Sequence, residues 1–175
     1  MPVNLVKKYP NFLDLVHLDD YQRMDSLRKI FDRDIQNNES FIFNKKRIRP
    51  IKIDGISAMD TLFHHLTTHL EVGLNGVKTR RRLFEMDRSK RLHWLLAHIN
   101  KSYPENIEVF SYMDRIKRED KVRTYVYDKL EQYVIVLEPQ RSKTDYYLLT
   151  AYYLNEKRGK KQIKQKMKRK LPVLH

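Results

Sequence analysis

The last third of the chain most constrains the fold, because it consists of four short strand-like segments separated by turn-prone breaks. The predicted strands are residues 107–115, 121–128, 133–138 and 145–154. Short polar loops join antiparallel neighbours, whereas parallel strands need a crossover of a dozen or more residues. The pattern therefore predicts a four-stranded antiparallel β-meander against which the rest of the chain packs.

Residues 1–40 are predicted to be mainly helical. Within residues 20–37 the apolar side chains recur at three- and four-residue spacing, which is typical of an amphipathic helix. They are Tyr21, Met24, Leu27, Ile30, Phe31 and Ile35. An Asp at position 19 or 20 suits the start of this helix. The segment either supports the core or offers a docking surface to another protein.

Two further helices are predicted, one after Gly55 with Ser57 as N-cap and one over residues 87–100 with Asp87 as N-cap. The expected fold class is thus α+β, with N-terminal helices packed on a four-stranded antiparallel β-meander and a basic C-terminal tail. The expected organisation is a helical segment over residues 1–40, an α+β domain over 41–155 and a tail over 156–175.

The charge of the chain points to a polyanionic partner. It has 36 Lys and Arg against 22 Asp and Glu, a formal net charge of +14. So large an excess on a small domain favours nucleic acid, although a solvated basic surface is the alternative. Residues 156–170 alone hold nine basic residues and one acid. We expect a solvated or disordered arm there until a polyanion neutralises it, with Ile163, Met167 and Leu171 spaced for a helix that forms on binding. Lys160 and Lys161 are expected to contact RNA phosphates without reading sequence.

Other classes of protein are disfavoured by what the sequence lacks. There is no cysteine, so neither a disulfide framework nor a zinc–thiolate site is possible. No apolar run approaches the ~20 residues of a membrane span, and no charged-then-apolar leader is visible. These observations predict a cytoplasmic protein without a membrane contact or a cofactor.

Three histidines lie on or beside the apolar stripe of the helix after Gly55. They are His64, His65 and His69. His65 and His69 are four residues apart and can share a metal on one helical face. The zinc-peptidase pattern needs a Glu after the first His, but Leu66 stands there. We therefore predict no metal site and take His65 as the candidate general acid or base, with His93 as the second candidate, because imidazole titrates near neutral pH.

Seven Lys and Arg residues fall between positions 78 and 91, and some of these are candidates for phosphate binding. Arg88 and Arg91 are three apart and so lie on the same side of a helix, next to His93. Two neighbouring guanidinium groups can grip a phosphate in a bidentate manner. Arg80 and Arg81 are further candidates for RNA contacts. The alternative for all of them is a solvated basic face.

The predicted strands also carry polar side chains suited to RNA. Alternation places Arg123, Tyr125 and Tyr127 on one face, and it places Tyr146, Leu148, Thr150 and Tyr152 together on another. Thr150 can donate to a phosphate oxygen. Tyr152 can do the same or stack on an unpaired base. The alternative is that the tyrosines are core and rim residues of an aromatic-rich sheet.

The order of these elements resembles a known family. A helix with a His, an Arg-Ser-Lys-Arg-Leu-His-Trp helix, and strands reading Arg-Thr-Tyr-Val-Tyr, Tyr-Val-Ile-Val-Leu-Glu and Tyr-Tyr-Leu-Leu-Thr-Ala-Tyr-Tyr follow one another. This order is similar to the phage- and mobile-element-associated branch of the barnase–EndoU–colicin–RelE-like ribonuclease superfamily. The resemblance covers roughly residues 41–155, and the last strand is its most specific part.

The resemblance implies a small α+β ribonuclease with its active site on the open face of the sheet. Such enzymes cleave RNA without metal, by attack of the ribose 2′-OH on the adjacent phosphate, and use a His or Glu, Arg or Lys, and a hydroxyl residue. The catalytic candidates on this chain are His65, Arg88, Arg123, Thr150 and Tyr152. The RNA-binding candidates are Arg80, Arg81, Arg91, His93, Lys160 and Lys161.

A metal-independent endoribonuclease of the toxin or defence-effector type is the expected function, with RNA as substrate and an inhibitor as an expected partner. The chemistry needs a base for the 2′-OH, an acid for the leaving 5′-oxygen and positive charge on the phosphorane. The alternative is a non-enzymatic, basic nucleic-acid-binding module. A third reading is an interaction protein that docks through residues 1–40.

Overall fold

The structure is a computed structural model that describes residues 3–52, 55–73, 75–100 and 105–175. The strands are β1 (Ile42–Phe43), β2 (Lys46–Pro50), β3 (Thr68–Val72), β4 (Lys78–Phe84), β5 (Ile107–Ile116), β6 (Glu119–Asp128), β7 (Tyr133–Pro139) and β8 (Asp145–Tyr153). The α-helices are α1 (Asp20–Phe31), α2 (Ala58–Thr67), α3 (Met86–Ser89), α4 (Trp94–Ile99) and α5 (Lys157–Lys168). A 3₁₀ turn covers Val3–Val6 and a π-helical turn covers Asp32–Gln36.

Six strands form one sheet in the order β1–β2–β8–β7–β6–β5, and β3 and β4 form a separate hairpin. Strands β5 to β8 pair antiparallel in chain order, near the predicted bounds. However, β2 adds to β8 in parallel, and β1 adds antiparallel to β2. The predicted fold class, N-terminal helices on a four-stranded antiparallel meander, is therefore wrong. The chain is α+β, but its main sheet is mixed and six-stranded.

Two hairpins in this sheet close through two-residue turns with positive φ. Asn44 and Lys45 have φ of 48° and 65° between β1 and β2, and Lys117 and Arg118 have φ of 48° and 72° between β5 and β6. Two successive positive φ values match the type I′ turn, whose twist fits that of paired strands. The predicted turn at positions 44 and 45 is confirmed.

A register shift in β8 decides which side chains meet. Leu137 pairs with Leu148 but Val136 pairs with Thr150, which leaves Leu149 as an extra residue. Such a bulge reverses the alternation of side chains along the strand. The prediction that Leu148 and Thr150 share a face is therefore wrong.

The two faces of the main sheet pack against different parts of the chain. The face that carries Val126, Ile135 and Leu137 packs on the N-terminal segment, α1, α2 and α4, and is called the core face. The opposite face carries Tyr125, Val134 and Val136, packs on α5, and is called the tail face. Directly paired residues of antiparallel strands lie on the same face. The bulge thus places Thr150 and Tyr152 on the tail face, where alternation along β6 also places Arg123.

Helix α1 begins as its sequence predicts. Asp19 accepts a hydrogen bond from the backbone of Gln22 at 2.8 Å, and the Gln22 side chain accepts one from the Asp19 backbone at 3.2 Å, which forms a capping box. The helix buries Leu27, Ile30 and Phe31 on the core face. Within the described residues, no helix has the length and apolar character needed to cross a membrane.

A buried polar cluster joins α4 to the end of β6. His98 Nε2 lies 2.8 Å from Asp128 Oδ2, and the Tyr9 hydroxyl donates to the same oxygen at 2.7 Å. The other ring nitrogen, Nδ1, lies 2.7 Å from the Trp94 carbonyl. A carbonyl only accepts, so Nδ1 carries a proton. These hydrogen bonds hold Tyr9 and α4 against the end of β6.

The C-terminal tail is a packed helix, and the prediction of a solvated or disordered arm is wrong. Helix α5 buries Ile163 and packs Met167 against Phe110 and Tyr125 on the tail face. Beyond the helix, the Leu171 backbone donates to the Ser111 carbonyl at 2.8 Å. Transfer of this apolar surface out of water holds the helix on the sheet in spite of its charge.

Candidate active site

Arg88 joins α3 to the end of α2 and to the start of β3 at the candidate site. Its Nη1 donates to the His65 carbonyl at 2.7 Å and to the Thr68 carbonyl at 3.2 Å, and its Nε lies 3.2 Å from Glu85 Oε2. The last carbonyls of a helix lack intrahelical partners, and an arginine satisfies them here at the end of α2. Arg88 is thereby held in one position beside His65.

His65 lies half-buried on α2, close to two guanidinium groups. Burial lowers the pKa of its imidazole, and the positive charges of Arg82 and Arg88 lower that pKa further. Arg82 is held in place by Thr68, to whose Oγ1 its Nε donates at 2.7 Å. His65 is accordingly neutral at physiological pH, which is the form that accepts a proton.

His65 and His69 do not share a helical face. Helix α2 ends at Thr67, and Thr68 is already extended with φ −135° and ψ 163°. His69 belongs to β3, where its Nδ1 lies 4.0 Å from Glu85 Oε2. Across the described ranges, no three His, Asp or Glu side chains come together in a group that could hold a metal ion. The four-residue spacing of His65 and His69 therefore does not place the two side chains on one helical face.

Arg123 and Tyr152 both lie on the tail face, on strands β6 and β8, with β7 between them. Arg123 lies 3.7 Å from Glu138 Oε2 and 4.0 Å from Asp114 Oδ2. Burial raises the pKa of the Tyr152 hydroxyl and the charge of Asp114 raises it further, whereas Arg88 and Arg123 act in the opposite direction. Tyr152 therefore lies within the electrostatic reach of both arginines and remains a neutral hydroxyl at physiological pH.

The Nε atoms of both arginines face carboxylates. Arg88 Nε lies 3.2 Å from Glu85 Oε2, and Arg123 Nε lies 3.7 Å from Glu138 Oε2. Both Nε atoms are buried, and neither ion pair has the geometry of a hydrogen bond. The positive charge of both guanidinium groups lowers the pKa of Tyr152 against the effect of burial.

Thr150 lies two residues before Tyr152 on the same face of β8 and is half-buried. Its position opposite Val136 follows from the bulge. Arg123, Thr150 and Tyr152 thus lie on the tail face, whereas His65 belongs to α2 on the core face and Arg88 is hydrogen-bonded to the end of α2. The charge of Arg88 nevertheless acts on Tyr152.

Sequence reasoning missed three charged residues of this region. Lys166 from α5 lies 2.5 Å from Asp114 Oδ1 and donates to the Tyr125 hydroxyl at 2.7 Å. Tyr125 in turn donates to Asp114. Arg123 extends the cluster to Glu138. A signal was present, because Lys166 stands three residues after Ile163 and directly before Met167, within the apolar stripe of α5.

Arg91 and His93 are buried and do not face solvent. Arg91 is 5% exposed, and its guanidinium lies over the rings of Tyr153 at 4.0 Å, Phe12 at 4.6 Å and Trp94 at 5.2 Å. His93 Nε2 lies 3.0 Å from the Asn11 carbonyl, and burial lowers the pKa of His93 to about 4. Both side chains serve packing, so the predicted RNA contacts of Arg91 and His93 have no accessible surface.

The remaining predicted RNA contacts lie in two basic elements. Arg81 is exposed on the β3–β4 hairpin, and the side chain of Arg80 lies outside the described part of the structure. Lys161 is exposed and Lys160 half-buried on α5, on the side that faces away from the sheet. These positions leave Arg81, Lys160 and Lys161 accessible to a polyanion.

Comparison of the chain with protein-family models, with curated proteins and with solved structures finds no match. The site is therefore interpreted from its own residues.

Proposed function

We propose that the chain is a metal-independent endoribonuclease that cleaves RNA by attack of the ribose 2′-OH on the adjacent phosphodiester. The observation that carries the proposal is the hydrogen bond from Arg88 to the His65 carbonyl, together with the charges of Arg88 and Arg123, which both act on Tyr152. A neutral imidazole, two guanidinium groups and a neutral hydroxyl are the groups that this reaction needs.

His65 takes the role of general base in this proposal. Its lowered pKa keeps it unprotonated at physiological pH, so that it can accept the proton of the 2′-OH. The hydrogen bond from Arg88 to its backbone carbonyl sets the position of the residue relative to the phosphate. The positive charge that depresses the pKa of His65 is thus also the charge that holds the substrate.

Arg88 and Arg123 stabilise the phosphorane. In this role their guanidinium charge offsets the negative charge that grows on the non-bridging oxygens in the transition state. Tyr152 has a raised pKa and donates its proton or a hydrogen bond to the leaving 5′-oxygen. Thr150 offers a second hydroxyl on the same face. Removal of one such donor typically costs ~10²–10³ in rate.

A cytoplasmic location, a toxin or defence role and an inhibitor partner belong to this proposal as expectations. They follow from the predicted reaction, because an unregulated ribonuclease harms the cell that makes it. The formal charge of +14 supports RNA as the partner.

A non-enzymatic RNA-binding module is the second candidate, and helix α5 favours it. The helix carries lysines on its outer side, and those contacts need no catalytic residue. The two candidates differ in one outcome, which is the integrity of the RNA after incubation.

The test is incubation of the pure protein with total RNA and with defined tRNAs in EDTA, followed by a denaturing gel. We expect discrete fragments from the wild type and none from His65→Ala. His64→Ala is the matched control, because His64 is the exposed neighbour on α2 and should leave the fragments unchanged. Intact RNA with a folded wild-type protein, or fragments that persist in His65→Ala, would remove the proposed role of His65.

A further inference from the structure

The lysines of α5 divide into two sets. The inner set is paired: Lys166 lies 2.5 Å from Asp114, and Lys170, just beyond the helix, lies 3.3 Å from Glu108. The outer set has no ion-pair partner among the described residues and is called the lysine stripe; it consists of Lys157, Lys160, Lys161, Lys164 and Lys168. These residues line a shallow groove of about 420 Å³ together with Gln165.

The spacing of the lysine stripe is helical. The positions follow one another at intervals of three, one, three and four residues, so that all five lie along one side of the helix. At a rise of 1.5 Å per residue, the stripe from Lys157 to Lys168 is about 16 Å long. This is enough to contact several phosphates in succession.

The stripe is unfavourable for the free helix. Lys157 and Lys161, Lys160 and Lys164, and Lys164 and Lys168 are like-charged pairs four residues apart, and such pairs destabilise a helix. No acid lies within α5 to offset them. Buried contacts of Ile163 with the tail face hold the helix in place instead. The lysine stripe is therefore a row of positive charges, unpaired within the described part of the chain, on a helix that is held in place by its buried side.

We propose that the lysine stripe is a docking surface for the RNA phosphate backbone, separate from the cleavage site. The inference rests on the proposed function, and it identifies where RNA that flanks the cleaved bond is held. Contacts to phosphates release counterions and carry no base preference, so the stripe adds affinity that depends on salt and not on sequence.

An anionic membrane is the other polyanion to consider. A basic amphipathic helix binds a membrane by inserting its apolar face. In α5 that face is covered, because Ile163 is 3% exposed and packs on Phe110 and Tyr125. RNA, which needs only the charged face, fits the structure better.

The test measures RNA affinity in the His65→Ala background, so that cleavage does not interfere. The stripe variant is K157Q/K160Q/K161Q/K164Q/K168Q, since Gln and Lys have similar helix propensities. The control is K45Q/K117Q/R118Q/R141Q/K143Q, which removes the same number of charges from exposed positions in turns. Circular dichroism and thermal unfolding verify that each variant is folded. The probe is a fluorescent oligouridine, followed by anisotropy from about 50 to about 200 mM KCl.

We expect the stripe variant to bind at least about tenfold more weakly at the lowest salt. We expect its slope of log K against log salt to be less steep by about 3.5, which is ~0.7 for each of five phosphate contacts. The control variant should keep most of the affinity. Equal affinity and slope in the two variants would overturn the proposal, and so would stripe-dependent binding to phosphatidylserine vesicles with RNA binding unchanged. The readout is binding alone, so it remains decisive even if the wild type does not cleave RNA.

Discussion

Lys166 Nζ lies 2.5 Å from Asp114 Oδ1, which joins the C-terminal helix to the fifth strand across the tail face. Asp114 is 8% exposed and also accepts a hydrogen bond from Tyr125. The ion pair is therefore an attachment of α5 to the edge of the candidate active site.

Replacement of Lys166 by Met should lower the free energy of unfolding by about 2 kcal/mol, because Asp114 then loses its nearest cation in a buried place. The control is Lys170→Met, since the Lys170 side chain is 50% exposed and its pair with Glu108 should contribute less than ~1 kcal/mol. Urea unfolding at neutral pH measures both. Equal, small losses in the two variants would mean that the Lys166 contact does not hold the helix.

His98 and Asp128 form a hydrogen-bonded pair whose side chains are 1% and 0% exposed. Burial raises the pKa of Asp128, but the hydrogen bonds from His98, the Glu131 backbone and Tyr9 outweigh it and the net pKa is lowered. Removing one partner of a buried pair leaves an uncompensated charge, which typically costs ~3–5 kcal/mol.

His98→Gln should therefore unfold at markedly lower urea, whereas His17→Gln, at an exposed histidine, should not. Because the folded pKa of Asp128 is depressed, its contribution is present above the unfolded value and is lost as pH falls through the folded one. A wild-type-like His98→Gln protein would show that the pair contributes nothing.

The buried His93 should make stability fall in mild acid. Its folded pKa of about 4 lies below the unfolded value of 6.5, so between these limits the unfolded chain binds a proton that the folded chain does not. Stability is then complete above 6.5 and declines as pH falls towards 4, by about 3 kcal/mol in total. His93→Gln has no such proton, so its stability should change less over this range. Parallel stability curves of the two proteins between pH 7 and 4 would contradict the assignment.

Several local features of the fold could be predicted from the sequence pattern, and the predictions that were wrong have physical causes. The capping box at Asp19 and the turn at Asn44 and Lys45 depend on neighbours in sequence, which the sequence reports directly. The parallel pairing of β2 with β8 joins residues 46–50 to residues 145–148. The alternation of apolar and polar residues within a strand does not indicate which distant strand it pairs with, so this pairing could not be predicted.

In the candidate site, too, some features could be predicted from the sequence and others depend on long-range structure. His65 and Arg88 were identifiable by residue type, but the face of Thr150 depends on the bulge at Leu149, which a strict period of two does not contain. Arg91 was expected at the surface, yet three aromatic rings enclose its guanidinium. A guanidinium over aromatic rings can be buried without an ideal ion pair, so charge alone did not predict its exposure.

The Tyr152 hydroxyl should contribute to catalysis without supporting the fold. Tyr152→Phe removes one oxygen and keeps the ring that packs on the tail face, so we expect cleavage to slow by ~10²-fold with little change in thermal stability. Tyr147→Phe, a half-buried tyrosine on the same strand, is the control. Rates on a defined tRNA, measured under single-turnover conditions, distinguish the two. Equal rates for Tyr152→Phe and the wild type would take Tyr152 out of the mechanism.

The most direct test of the central claim uses a DNA oligonucleotide that contains a single ribonucleotide, incubated in EDTA with the wild type, His65→Ala and Arg88→Ala. We predict that the folded wild type cleaves only after the ribonucleotide and leaves a 2′,3′-cyclic phosphate, because the 2′-OH is the nucleophile. Both variants should lose this product by ~10²-fold or more. Cleavage of an all-deoxy control, or an intact oligonucleotide and intact tRNA after incubation with folded wild-type protein, would contradict the account.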